Sequence, residues 1–449
     1  MTMHGQVPGT RPLNVLLLHD RQPRLAGTVD QHVAALANRS RHKVVGLKML
    51  GDLPAGLDLA AFDAIVLHYT LVACHDAYVS PATRARLAAA PGVKAAFIQD
   101  EYRFVDRTVA ALCAIGLDLL FTCVPEPEIE KVYPAERLPG VVKRNVLTGY
   151  VDESLLGRPV LALRDRPVDV GYRARKVPAW LGGFGQEKWA IGVRFGQDAP
   201  AHGLKVDLAY REEERLYGQA WIDFMTGCKA TLGTESGASV FDFSGEVQRQ
   251  VEAALLADPD LPFETLQERY FKHLEGLIRL NQISPRCFEA AALKTLMILY
   301  EGEYSGRLTA WRHYLPLNKD HSNMAEIAAA LRDLPRCQAM VDCAYEEVAL
   351  APANSFRQHV AEVDAWLAEA WHDKRPSPAP GLADGALHRL QRPNFRQRRR
   401  NLQRWLYEHA NLLLFRHLLG AMPAARRDRL QLVLHRGLKS LLTAVRPRV

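Results

Sequence analysis

Short, continuously apolar runs alternate along this chain with stretches that are apolar on one helical face only, and that alternation predicts most of the architecture. Residues 13–19 (LNVLLLH), 42–50, 61–69 (AFDAIVLHY), 93–99 (VKAAFIQ), 117–123 and 141–146 have the pattern of strands covered on both faces. Between them, 28–38, a segment opening at Ser80-Pro81, 104–115 and a short piece at 125–132 read as helices. Thr28-Val29-Asp30-Gln31 has the spacing of a capping box, and Ser80 followed by Pro81 that of an N-cap and first helical residue. Strands alternating with helices predict a doubly wound parallel sheet ending near residue 150.

After a linker rich in Arg, Pro and Asp (157–167), the alternation starts again. Strands are expected at 169–175, 205–209, 228–233 (CKATLG), 296–300 and 313–317, with helices through 186–189, 212–226, 285 onward and 323–331. A charged stretch at 245–280, with Pro259 and Pro262 inside it, reads as two helices without a strand, inserted into the pattern. The chain thus divides into a first domain at 1–155, a second at 165–350, a helix and Pro/Gly/Ala-rich linker at 351–393, and a tail at 394–449. The fold class is α/β, with two Rossmann-like doubly wound parallel-sheet domains facing a cleft and a basic helical C-terminal tail.

Composition adds a division of charge. The 449 residues carry a net +7, yet 389–449 hold 15 Lys and Arg against 2 acidic residues, which leaves the other 388 residues at −6. Basicity belongs to the tail, where Leu402, Trp405, Leu406, Leu412, Leu413 and Phe415 follow a helical pattern among arginines. Three readings of the tail stand: an anionic membrane surface, a helix packed on the body or between copies, and a disordered basic tail. No RNA-binding aromatic motif accompanies the arginines, so nucleic acid is not an expected partner. Apolar content of 48% and charged content of 24% are those of a globular protein. No apolar run reaches the roughly 18 residues that span a bilayer, and MTMHGQVPGTRP has no signal core, so a cytoplasmic location is expected. The seven cysteines form no CxxC pair and read as reduced and mostly buried.

The first strand is followed by LLLHDRQPRLAGTV rather than GxGxxG, which disfavours a dinucleotide site. Ligands of open parallel sheets sit beyond the carboxyl ends of strands. In the first half those loops carry His19, His68 and the run Gln99-Asp100-Glu101-Tyr102-Arg103. Asp100 and Glu101 are the candidates for a base that takes a proton from an acceptor hydroxyl, with His19 and His68 behind them. In the second half, 283–306 (ISPRCFEAAALKTLMILYEGEYSG) joins a helix start at Ser284-Pro285, a buried strand and a glycine-containing loop. Asp258-Pro259-Asp260 matches DxD formally but sits at a proline break, and reads as a turn.

Within that stretch S-P-R-x-F-E-A-A-A-x-K-T resembles the R-x-F-E-A-x-A-x-G helix of group 1 glycosyltransferases, including the spore-maturation-type subset. The resemblance covers residues 165–345 and extends to the first half only by pattern. It implies a GT-B fold and a sugar-transferring enzyme. Its substrates would be a nucleotide-diphosphate sugar and a cell-surface glycan or lipid-linked acceptor, with no cofactor and no metal. It implies Glu289 on the donor ribose and Arg286 near the diphosphate, where a capping carboxylate and a surface ion pair are the bland alternatives. Arg173 and Lys188 are the further cations for the leaving diphosphate, and Tyr304, Ser305 and Gly306 the loop closing over it. The family's second glutamate, eight positions earlier, is here Asn281. Glu235, in the loop GTESGAS with Ser236 beside it, is the expected substitute. The competing functions are a degenerate sugar-nucleotide-binding scaffold and a GT-B epimerase or phosphorylase.

Overall fold

The computed structural model describes residues 11–21, 27–211, 214–374 and 376–382, together with 386, 402 and 406. The basic tail lies outside the described residues, and so does the membrane reading attached to it.

The first half runs β1 (Asn14–His19), α1 (Gly27–Arg39), β2 (Lys43–Lys48), β3 (Ala64–Leu67), α2 (Pro81–Ala88), β4 (Val93–Ile98), α3 (Val105–Ile115), β5 (Leu119–Thr122), α4 (Ile129–Val132) and β6 (Val142–Asn145). All six strands are parallel, in the order β2-β1-β3-β4-β5-β6. β3 and β5 are buried at every position, the reason they read as unbroken apolar runs. Ser80 caps α2 by accepting from the Thr83 amide at 3.1 Å. Gln31 does not close the expected capping box; it lies inside α1 and donates to Asp152 at 2.6 Å.

The second half continues β7 (Val168–Arg173), α5 (Gly182–Asp198), β8 (Val206–Ala209), α6 (Gln219–Gly227), β9 (Cys228–Gly233), β10 (Ser236–Ala238), α7 (Glu246–Ala257), α8 (Phe263–Leu266), β11 (Leu280–Gln282), α9 (Pro285–Ala292), β12 (Leu296–Tyr300), β13 (Leu315–Leu317), α10 (Met324–Arg332), α11 (Leu334–Ala344) and α12 (Phe356–Lys374). Its parallel sheet has the order β13-β12-β9-β7-β8, so both halves place their first strand beside their second and their third, at a topological switch point.

Three elements differ from the sequence reading. The inserted stretch does end in a strand: β11 pairs antiparallel with β10, a contact made across forty residues that local pattern does not carry. α6 begins at Gln219 rather than near 212, directly after Gly218 in a positive-φ conformation. α12 returns to the first half and packs on α1 and β4, burying His359, Val360, Val363 and Leu367 in the core beneath that sheet.

The halves are tightly knit. Phe241, just before the insertion, and Ile278 and Leu280 at its end enter the core on the other face of the first sheet. The Phe104 amide donates to Asp242 O at 2.8 Å, and the Asp242 amide to Tyr102 O at 2.7 Å. Gln282, at the end of β11, reaches Cys123 O, just past β5, at 2.6 Å. The carboxyl edges of both sheets therefore meet across a cleft.

Candidate donor and acceptor site

The second half's part of the cleft is assembled by β9, the β10–β11 pair and α9. Glu235 follows β9 and is buried, its Oε1 accepting from the Tyr304 amide at 2.7 Å and from Asn281 Nδ2 at 3.4 Å. Burial raises its pKa, with those two donors pulling the other way. Two glycines make room. A β-carbon on Gly237, whose φ is +145°, would lie 1.6 Å from Leu280 O, and one on Gly302 would lie 2.7 Å from Glu235 Oε2. Because Gly237 pairs with Asn281, the β10–β11 pair brings Asn281 against Glu235, the glutamate expected to serve in its place.

Behind this pair, α9 carries Arg286 and Glu289. Ser284 occupies the N-cap position with extended backbone but makes no cap hydrogen bond through its hydroxyl. Glu289 Oε2 accepts from Trp221 Nε1 on α6 at 2.9 Å. Burial raises the Glu289 pKa, against the pull of that hydrogen bond and of Arg286. The Arg286 guanidinium lies between two rings, 4.6 Å from the Tyr172 centroid and 5.3 Å from that of Trp221, and donates through Nη2 to Arg173 O at 2.5 Å. Its Nε is buried without a partner.

Lys188 completes the group. Burial lowers its pKa to about 8, Asp100 of the first half raises it, and Arg175 and Arg286 lower it further. Among the described residues its ammonium has no hydrogen-bond or ion-pair partner. Lys188 thus feels the charges of Arg175 and Arg286 with Asp100 opposing them, and Arg286 stands in the first turn of α9, an electrostatic arrangement that favours an anion.

Several expected site residues are placed elsewhere. Arg173 is tied to Asp207, at 2.9 Å from its carboxylate and 3.0 Å from its carbonyl, with Phe224 under the guanidinium, so its charge is already matched; only its carbonyl serves the site, by holding Arg286. Tyr304 is fully buried and donates to Tyr300 O at 2.6 Å; it contributes its amide to Glu235 rather than a side chain to the cleft. Ser305 uses its hydroxyl within the fold, accepting from the Ile283 amide at 3.1 Å and donating to Gln282 at 3.0 Å. Ser236 is half-buried in the hairpin opposite Gln282, and Gly306 is exposed with φ +68°.

On the first-half side, Glu101 is corrected most sharply. It is 3% exposed, and its carboxylate accepts from Thr122 Oγ1 and Tyr133 Oη at 2.5 Å and the Cys123 amide at 2.6 Å. Burial pushes its pKa up to about 7. It ties β5 to the segment after β4 and does not reach the cleft. Neighbouring Asp100, with φ +56°, is exposed and accepts from Tyr102 Oη at 2.8 Å. His68 is also corrected: it has no exposure, and it heads a buried chain in which the Thr70 amide donates to His68 Nδ1 (3.2 Å), His68 Nε2 meets His32 Nδ1 (2.9 Å) and His32 Nε2 meets His359 Nε2 (3.1 Å). Burial lowers the pKa of all three rings and keeps them neutral. His19 stays half-buried at the end of β1, its Nδ1 accepting from the Arg21 amide at 3.1 Å, with burial lowering its pKa to about 4.

Trp221, Tyr172 and Arg175 are the site residues the sequence reading missed. Trp221 and Phe224 fall on one face of the amphipathic 212–226 stretch, which signals a packed face but not what it covers.

Among the described residues one His/Cys/Glu group is close enough to share an ion: His313, Cys343 and Glu347. His313 Nδ1 accepts from the Thr309 amide at 3.0 Å, so the ring proton sits on Nε2 and points to Glu347 at 2.9 Å, which Arg312 also holds. These are the features of an ion-pair cluster. Asp260 donates its amide to Asp258 at 3.2 Å, the turn expected at the DPD sequence.

Two doubly wound parallel sheets with their carboxyl edges meeting at a cleft, and a last helix crossing back to the first, define the GT-B fold. No family model matches the chain, and no curated protein sequence matches it. Solved structures similar to it include Anabaena Alr3699/HepE in complex with UDP and glucose, at 12% identity over 79% of this chain and 99% of that one, TM-score 0.43. Sucrose-phosphate synthase from Thermosynechococcus elongatus matches at 13% identity over 79% and 99%, TM-score 0.43. The pneumococcal O-GlcNAc transferase GtfA in complex with UDP and GlcNAc matches at 12% identity over 71% of this chain, TM-score 0.35; the chain spans 58% of GtfA's length. It spans 57% of the matched chain of the GtfA/B complex.

Proposed function

We propose that this protein is a glycosyltransferase that moves a sugar from a nucleoside-diphosphate donor, held by the second half, to a glycan or lipid-linked acceptor entering against the first. The observation that carries the reading is Arg286 in the first turn of α9, held by the Arg173 carbonyl and lying against Tyr172 and Trp221, beside a carboxylate, Glu289, that can accept hydroxyl hydrogens. A diphosphate satisfies the cations and a ribose suits the carboxylate. During transfer, negative charge develops on the leaving diphosphate; Arg286, held by the Arg173 carbonyl and two rings, opposes it without rearranging, and the unpartnered Lys188 ammonium adds to it. Glu235, held by Tyr304 and Asn281, faces the sugar portion. Asp100 and His19 are the groups left at the acceptor edge to receive its proton. A cytoplasmic enzyme held at an anionic membrane face by the 394–449 segment would meet a lipid-linked acceptor there.

The test is thermal stabilisation by uridine, guanosine, cytidine and thymidine diphosphates. A ligand that binds only the native state raises the melting temperature. A shift with at least one supports the donor site, and no shift with any contradicts it.

A further inference from the structure

Resting on that donor-site reading, we propose that Trp221 is a positioning residue through which the site selects ribose over deoxyribose: its indole N–H holds one oxygen of Glu289 so that the other meets a donor hydroxyl, and its ring seats Arg286. Trp221 Nε1 donates to Glu289 Oε2 at 2.9 Å. This is the one hydrogen bond the half-buried carboxylate makes among the described residues, and Oε1 is left to a ligand. The last torsion of a glutamate side chain is broad, so a carboxylate with no fixed donor turns its plane at little cost. A single N–H on a rigid ring sets that plane before the donor arrives, and nothing has to be displaced when it does.

The indole serves as a fixed point because it is itself held. Phe224, one turn further along α6, stacks on it at 5.8 Å and 27°. A β-carbon on Gly171 of β7 would lie 2.8 Å from Phe224 Cζ, so the strand is bare where that ring enters. Met225, the next residue of α6, is fully buried, and its carbonyl accepts from Thr295 Oγ1 at 2.9 Å, which ties α6 to the chain leaving α9. The face of the same indole lies 5.3 Å from the Arg286 guanidinium, which also lies 4.6 Å from the Tyr172 ring. One side chain therefore sets the carboxylate through its edge and the guanidinium through its face, and the two contributions separate by substitution.

The probe is whichever nucleoside diphosphate of the thermal test stabilises the wild type, titrated calorimetrically beside its analogues lacking the 2′- or the 3′-hydroxyl. The wild type should bind the parent about 10-fold more tightly than the analogue missing the hydroxyl that meets Glu289. Trp221→Phe keeps a ring over Arg286 and removes the N–H; its selectivity should fall to about 3-fold or less while the deoxy analogue binds as it does to the wild type. Trp221→Gln keeps an N–H donor of similar reach and removes the ring; both forms should bind about 5-fold more weakly with the selectivity retained. The ligand-free melting temperature of each variant separates loss of folding from loss of binding. Selectivity lost in Trp221→Phe and kept in Trp221→Gln supports the proposal. Full selectivity in Trp221→Phe makes Trp221 a packing residue and overturns the proposal while the donor site stands. A wild type that binds parent and analogues alike overturns it without recourse to any variant. If no diphosphate binds the wild type, the donor-site reading itself falls.

Discussion

The two sides of the cleft use their polar side chains differently. On the second-half side, Lys188 and Arg175 have no hydrogen-bond or ion-pair partner among the described residues, and Arg286 is held by rings and a carbonyl, with Glu289 near enough to feel its charge but not in an ion pair with it. On the first-half side, Glu101 and His68 are fully engaged inside the fold, whereas Asp100 is exposed and His19 half-buried. Unmatched charge gathered in one place is a standing demand for a ligand, whereas satisfied buried polar groups hold the fold. That contrast is what the proposed donor side and acceptor side would require.

The largest effect that could break this contrast is at Glu101. Replacing it with Ala leaves the Thr122 hydroxyl, the Tyr133 hydroxyl and the Cys123 amide without their acceptor, which should cost about 3 kcal/mol or more in denaturant unfolding. A small loss of stability with a large loss of transfer would instead return Glu101 to the reaction. Its titration adds a sign. With a folded pKa near 7, above the unfolded value, the native state holds a proton the unfolded chain has released. The Glu101 contribution is then fully present below the unfolded pKa and is lost as pH rises toward 7, at about 1.4 kcal/mol per unit. Glu101→Gln should flatten that slope.

Next in size is Glu289→Ala, which should weaken nucleoside-diphosphate binding by about 30-fold or more through loss of hydrogen bonds to a charged acceptor, visible as a lost thermal shift. An unchanged shift would remove the ribose from this position. Lys188→Met should cost about tenfold and also change the pH profile. The protonated amine binds the diphosphate, and its pKa in the free protein is about 8. Wild-type affinity should therefore hold steady at lower pH and fall as pH rises above about 8, while the variant stays flat between about 7.5 and 9.5. Smallest is Asp100→Asn, which removes a charge at an exposed position and should change donor affinity by less than about twofold. If Asp100 receives the acceptor proton, transfer should nonetheless drop; unaltered turnover would shift that role to His19.

Strands such as β3 and β5 were legible because a strand covered on both faces needs apolar residues throughout, and that requirement is local. The β10–β11 pair was not, since Ser236-Gly237-Ala238 and Leu280-Asn281-Gln282 have no strand pattern and become strands only by meeting each other. Asp100 and Glu101 show the same limit at a site. Adjacent carboxylates look equivalent in sequence, yet Asp100 takes φ +56° and stays outside, while Glu101 turns under β5. The role of Trp221 depends on α6 lying against α9, which no spacing along the chain expresses. Glu235 was legible as a polar residue after a buried strand; its contact with Asn281 needed the hairpin.

The most direct test of the central claim is an experimental structure of the full-length chain with the diphosphate that raises its melting temperature. The phosphates are expected against Lys188 and Arg286 at the start of α9, with the ribose on Glu289. A nucleotide bound at any other place in the molecule would contradict it.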